Sequence, residues 1–73
     1  MRDKELLLKL GLKVRFERLK KGLSQEELAE KARLNTRSIS LIERGLSDIK
    51  FSTLACISEG LQVEIGTLTN FRL

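Results

Sequence analysis

The sequence contains no histidine, proline, tryptophan or tyrosine, and it has a single cysteine. Without histidine, and with one thiol, the usual zinc and haem sites lack enough ligands, and a catalytic triad built on a histidine base is excluded. No pair of acidic residues lies in a pattern that indicates general acid–base catalysis. We therefore predict a protein that is not an enzyme and that uses no metal or cofactor.

The single cysteine, Cys56, lies between apolar neighbours and is predicted to be a small core side chain. One cysteine cannot form an internal disulfide, which suits a reducing compartment. The N-terminal stretch has only a short run of leucines interrupted by charges, so it reads as neither a signal peptide nor a membrane span. We expect a soluble, cytoplasmic protein in which residues 1–73 form one domain with one small core.

Basic residues outnumber acidic ones by 14 to 10, and the net charge of +4 suits an anionic partner. The charge is unevenly distributed along the chain. More than half of the lysines and arginines precede Gly22, whereas the stretch from Asp48 to Glu64 contains Lys50 as its one basic residue. This pattern is compatible with nucleic-acid binding, but an ordinary solvated basic face would produce it too.

Capping signals divide the chain into short helices. In KKGLS, Gly22 suits the left-handed position that ends a helix, and Ser24 begins the next with the capping box SQEE. Asn35 can cap a third helix, and Gly45 can end it. Weaker helical patterns follow in FSTLACISEGL and VEIGTLTNF. The first three helices are predicted at about Lys4 to Lys21, Gln25 to Ala32, and Thr36 to Glu43.

Apolar residues at helical spacing should face a common core. Phe16 falls off this pattern in the first helix and has no predicted partner. The residues predicted to point inward are Leu7, Leu10, Val14, Leu19, Leu28, Ala29, Ala32, Ile39, Ile42, Phe51, Leu54, Ile57, Ser58 and Leu61.

Two short capped helices joined by a three-residue turn make a helix-turn-helix, a motif whose second helix lies in the DNA major groove. The segments GLSQEELAEKA and ISLIERG resemble the helix-turn-helix domain of the Cro and lambda-repressor type, the XRE family. The resemblance covers about Leu10 to Leu68. It implies a compact five-helix, all-α fold with the motif at helices 2 and 3, and sequence-specific binding to double-stranded DNA, usually as a homodimer on an inverted repeat. The small size and the ISLIERG segment are also similar to restriction–modification controller proteins.

The third helix divides into two faces. Ile39 and Ile42 anchor it to the core, and the period of 3.6 places positions 36, 37, 40, 41 and 44 on the opposite side. Arg37 has the fork that bonds guanine O6 and N7. With the resemblance, this face is predicted to read bases through Asn35, Thr36, Arg37, Ser40 and Leu41, and to contact phosphates, with neighbouring elements, through Gln25, Ser38, Arg44 and Lys50. The alternatives are a plain solvated face and, for Gln25, a role limited to the start of the second helix.

The resemblance also implies an internal ion pair between Arg18 and Glu43, which would hold the third helix at its angle. Arg33 departs from the family pattern, because it stands where a turn glycine is common. Gln62 likewise replaces a common glycine. The apolar C-terminal residues Val63, Ile65, Leu68 and Phe71 are predicted to form the dimer interface, with packing inside the monomer as the alternative.

These observations predict a homodimeric transcriptional regulator, with autoregulation as a restriction–modification controller and RNA polymerase as a further partner. Two alternatives remain open. One is an antitoxin that binds both DNA and a toxin, and the other is a helical protein-interaction module without DNA binding.

Overall fold

The computed structural model describes residues 3–70, which form five α-helices and contain no β-strand. This confirms the predicted all-α fold. The helices are α1 (Asp3–Lys20), α2 (Gln25–Ala32), α3 (Thr36–Glu43), α4 (Phe51–Leu61) and α5 (Ile65–Thr69).

The predicted caps set the boundaries of α2 and α3. The Ser24 hydroxyl accepts a hydrogen bond from the Glu27 N–H at 3.0 Å, and the Glu27 carboxylate accepts one from the Ser24 N–H at 2.8 Å. The Ser24 backbone N–H, and after it the Ser24 hydroxyl, lower the pKa of Glu27, because hydrogen bonds from both groups favour the charged carboxylate. At the next boundary, Asn35 Oδ1 accepts from the Ser38 N–H at 2.7 Å. Each cap therefore satisfies a backbone donor that a helix start leaves without an intrahelical partner.

Positive φ angles end four of the helical segments. Gly22 at 74° and Gly45 at 71° follow α1 and α3, as predicted. Arg33 at 61° ends α2 and Gln62 at 59° ends α4, so both take the left-handed conformation in which glycine is common. A side chain in this conformation costs roughly 1 kcal/mol or more. The turn between α2 and α3 thus keeps a glycine-like path in spite of its arginine.

The core lies where α2 packs against α4 and α3, with α1 across α3 and α5 closing one end. Val14, Leu28, Ile39 and Ile57 have no exposed surface. The remaining buried apolar residues are Leu10, Ala29, Ala32, Ile42, Leu54, Leu61 and Leu68. Cys56 is half-buried and packs against this core.

Two residues predicted to point inward are exposed instead. Leu19 is 56% exposed, because nine helical steps of 100° place it opposite Leu10 on α1. Phe51 is 72% exposed at the first position of α4, to one side of the face that Leu54 and Ile57 bury. Both predictions were wrong for the same reason. Each apolar residue lies near a helix end and fits the helical spacing of the core residues only approximately, so it does not lie on the buried face.

Leu68 is fully buried in the core of the monomer, so its assignment to a dimer interface was wrong. Val63 and Ile65 are partly buried and pack against the same core, which leaves part of each side chain accessible. Phe71 lies outside the described residues. Among residues 3–70, none of the helices has the length and apolar character needed to cross a bilayer.

Candidate nucleic-acid interface

Helix α3 presents a polar face away from the core. Ile39 is fully buried and Ile42 is 5% exposed, and these two residues fix which side of the helix points outward. Arg37 is exposed on the outer side, and so is Arg44, the residue that follows the helix. The half-exposed side chains of Thr36, Ser38, Ser40 and Leu41 complete the surface of α3. The helix therefore offers a row of short and long polar groups with one apolar position.

Asn35 begins this face while serving as its cap. Its side-chain oxygen is used by the Ser38 N–H, but its amide nitrogen is a donor that the cap does not use. The residue is exposed. The cap and an outward hydrogen bond are thus compatible in one side chain.

A buried ion pair ties α3 to α1, as the family resemblance implied. Arg18 Nε donates to Glu43 Oε2 at 2.6 Å, and a second guanidinium nitrogen donates to Glu43 Oε1 at 3.0 Å. A third nitrogen of Arg18 donates to the Leu23 carbonyl at 2.8 Å. The Glu43 hydrogen bonds and charge raise the pKa of Arg18 against the opposing effect of burial, so the guanidinium stays charged. The C-terminal end of α3 is held by a rigid, two-point contact.

Gln25 joins this network at the first residue of α2. Its amide nitrogen donates to Glu43 Oε1 at 3.1 Å. The amide has a second N–H that this bond does not use, and Gln25 is only half-buried. The ion pair with Arg18 offsets the negative charge of Glu43, which would otherwise repel an anion at this point.

An open depression lies at the junction of α1, α2 and α3. It brings Gln25 next to Ser40 and Arg44 of the predicted site, and it adds Arg15. The complete lining is Arg15, Arg18, Gln25, Ser40, Glu43 and Arg44. Arg15 was expected to add only long-range attraction and was not assigned to the site, although its position one turn before Arg18 on the same helix is the signal that could have placed it here.

The remaining predicted contacts lie further along the chain. Lys50 is exposed at the N-cap position of α4, beyond the loop that carries the exposed Asp48. The Arg44 side chain turns back along α3, where its Nε donates to the Ser40 carbonyl at 3.4 Å. No cluster of Cys, Asp and Glu suited to a metal ion occurs within residues 3–70.

Comparison with known proteins places this arrangement in a family. The model of the Helix-turn-helix family HTH_3 matches residues 14–68. No curated protein sequence gives a significant match.

Several solved structures share the fold. The restriction-modification controller protein C.AhdI from Aeromonas hydrophila is 32% identical with a TM-score of 0.84, over 85% of this chain and 94% of that one. The wild-type controller protein C.Esp1396I is 39% identical with a TM-score of 0.78, over 81% and 77% of the two chains. The clp gene regulator ClgR from C. glutamicum is 30% identical with a TM-score of 0.82, over 86% and 82%.

These relatives are regulators, and none of them is described as an enzyme. The capped α2 and α3, the short turn between them and the outward polar face of α3 are the parts of a helix-turn-helix. The chain belongs to the HTH_3 helix-turn-helix family of DNA-binding transcriptional regulators.

Proposed function

We propose that this chain binds an inverted-repeat operator as a homodimer and controls transcription of a restriction–modification locus, including its own promoter. The likeness to two restriction-modification controller proteins at 32% and 39% identity supports this biological role. The observation that supports sequence-specific DNA binding is the polar outer face of α3. The orientation of this face is set by the buried side chains of Ile39 and Ile42 and by the Arg18–Glu43 pair.

In this proposal α3 lies in the major groove. Arg37 bonds guanine O6 and N7 with two parallel donors, which is the commonest specific contact of arginine. Thr36 and Ser40 offer hydroxyls to base edges, and Leu41 offers an apolar contact for a thymine methyl group. The unused amide donor of Asn35 reaches the same groove or the adjacent phosphate.

Phosphate contacts set the depth and register of the helix. The free N–H of Gln25 and the backbone amides at the start of α2 form an anion site, favoured by the helix dipole. Arg44 lines the same depression, and Ser38 and Lys50 extend the contacts along α3 and beyond it. Arg15 adds a cation that the sequence analysis did not assign to the site.

Dimerisation supplies the discrimination that one domain lacks. An eight-residue helix meets few base pairs, and each good contact contributes about 1–3 kcal/mol of preference. Two copies about one helical turn of DNA apart double the site that is read. The accessible parts of Val63 and Ile65, with Phe71, form the dimer surface in this proposal. The bound dimer acts in the cytoplasm by blocking RNA polymerase or recruiting it.

The test is selection from a random duplex pool with the wild type, Arg37→Ala and Lys31→Ala in parallel. Lys31 is exposed on α2, so its loss removes the same charge without touching α3. We expect an inverted repeat from the wild type and from Lys31→Ala. Arg37→Ala should weaken binding to the cognate sequence by about 1–3 kcal/mol and relax the base preference at one position of each half-site.

Two outcomes count against the proposal. An equal loss on every sequence would make Arg37 a phosphate contact rather than a base reader. If a folded protein enriched no sequence at low salt, the chain would not be a DNA-binding protein, because binding driven by phosphate contacts is strongest at low salt.

A further inference from the structure

Helix α1 carries a second apolar row, on the side opposite the core. Leu8, Leu12, Phe16 and Leu19 are 41%, 60%, 56% and 56% exposed. Their spacing of four, four and three residues keeps them on one helical face. Leu10 and Val14 occupy the opposite face and are buried. A continuous apolar row that a small domain leaves in solvent marks an interaction surface.

Cations border this row on both sides. The ammonium groups of Lys13 and Lys20 lie 5.4 Å and 5.7 Å from the centre of the Phe16 ring, which places them along one edge. The 100° step per residue places Arg15 on the other edge. Glu5 is an exposed acid on this face, near the start of the helix. Glu17 is 3% exposed on the core side, where it pairs with Lys13 at 3.6 Å.

The nine residues from Leu12 to Lys20 fit a little more than one heptad of a helix-pairing pattern. Leu12, Phe16 and Leu19 take the d, a and d positions of a heptad, and Lys13, Arg15 and Lys20 take the flanking e and g positions. Charges at e and g select the partner helix through ion pairs. A second copy of α1 would place like charges opposite each other, whereas a helix with acidic flanks would meet opposite charges.

We propose that the outer face of α1 docks an amphipathic helix of another protein, one with apolar a and d positions and acidic e and g positions. Phe16 and Leu12 pack into the apolar row of that helix, and its carboxylates pair with Lys13 and Lys20. The proposal does not depend on the DNA-reading role of α3.

This surface and α3 can be occupied together. Helix α3 packs on the side of α1 that carries Gly11 and Arg18, where a Cβ at Gly11 would clash with the Ile42 carbonyl oxygen. The exposed row lies on another side of α1. A partner helix docked there would be carried to DNA by the bound regulator.

The test uses two synthetic peptides of about three heptads with leucine at a and d, one with glutamate at e and g and the other with lysine. Binding to the full chain is measured by fluorescence anisotropy. We expect micromolar binding of the acidic peptide and binding at least tenfold weaker for the basic one. Phe16→Ser and Leu12→Ser should each weaken binding of the acidic peptide at least tenfold, because both lie on the row. Phe51→Ser, which removes a still more exposed phenyl ring from α4, is the matched control and should bind as the wild type does.

A charge reversal sharpens the test. The variant Lys20→Glu should bind the basic peptide more tightly, and the acidic peptide less tightly, than the wild type does. Circular dichroism confirms that each variant is folded. Equal binding of both peptides, or an equal loss in Phe51→Ser, would overturn the proposal. A lower mass of Phe16→Ser than of the wild type in sedimentation would also overturn it, because the apolar row would then be an interface between two copies of this chain. Binding to vesicles of anionic lipid without binding to the acidic peptide would overturn it as well.

Discussion

Replacing Arg18 by methionine tests whether the buried ion pair holds α3 in place. The variant loses two hydrogen bonds to Glu43 and one to the Leu23 carbonyl. The Glu43 side chain is 3% exposed, so its carboxylate would remain buried with Gln25 as its remaining hydrogen-bond donor. Removing one partner of such a pair costs about 3–5 kcal/mol, since the other charge is left uncompensated.

That loss is large for this domain. At roughly 0.05–0.15 kcal/mol per residue, 73 residues give a free energy of unfolding of roughly 4–11 kcal/mol. Arg18→Met should therefore lower the urea midpoint severely or unfold the chain. Adding Glu43→Leu should restore most of the stability, because the buried charge is removed together with its partner.

The assay is a double-mutant cycle by urea denaturation, with the wild type, both single variants and the double variant. Lys31→Ala, an exposed charge loss on α2, serves as the control and should change the free energy of unfolding by less than about 0.5 kcal/mol. A loss below about 1 kcal/mol in a folded Arg18→Met variant would contradict the expected role of the ion pair, because it would show that Glu43 is solvated without Arg18.

Three further predictions concern local features. Arg33→Gly should raise the free energy of unfolding by up to about 1 kcal/mol, because the left-handed φ of 61° strains any side chain; an unchanged urea midpoint would contradict this. Glu27→Ala should make the melting temperature less dependent on pH in the acid range. Because the pKa of Glu27 is lowered in the folded state, its carboxylate stabilises the fold above its unfolded pKa, and this stabilisation is lost as the pH falls below about 4. The same melting temperatures for variant and wild type from pH 6 to 2 would argue against the cap. Gly11→Ala should lower the free energy of unfolding by about 1–3 kcal/mol, since its Cβ would meet two carbonyl oxygens at the end of α3. An unchanged melting temperature would show that α1 and α3 can move apart enough to accommodate a methyl group.

The helix starts could be predicted because their determinants are local. Ser24 and Glu27 cap each other across three residues, and Asn35 caps the Ser38 N–H across the same distance. Such bonds form wherever the helix begins, so the sequence pattern and the structure agree there. The polar outer face of α3 could also be predicted, since Ile39 and Ile42 leave only one side of a short helix for the core.

Contacts between distant segments could not be predicted from spacing. Gln25 bonds Glu43 across 18 residues, and Arg15 lies in the depression beside Arg44 because α1 crosses α3. The Arg18–Glu43 pair was expected from resemblance alone, because no local rule links residues 25 positions apart. Leu68 shows the same limit: its apolar character suited a dimer surface as well as a core, and the packing of α5 against α1 and α4 decided for the core.

Helix α1 shows which structural features are encoded locally in the sequence and which depend on tertiary packing. Its length, its end at Gly22 and its helical spacing are all encoded locally. Its apolar residues, however, lie on two opposite faces, so periodicity could not say which face is buried. The side with Gly11 is the one on which the α3 backbone packs, at a distance that no larger residue permits. That close approach buries Leu10 and Val14 and leaves Leu12 and Phe16 in solvent.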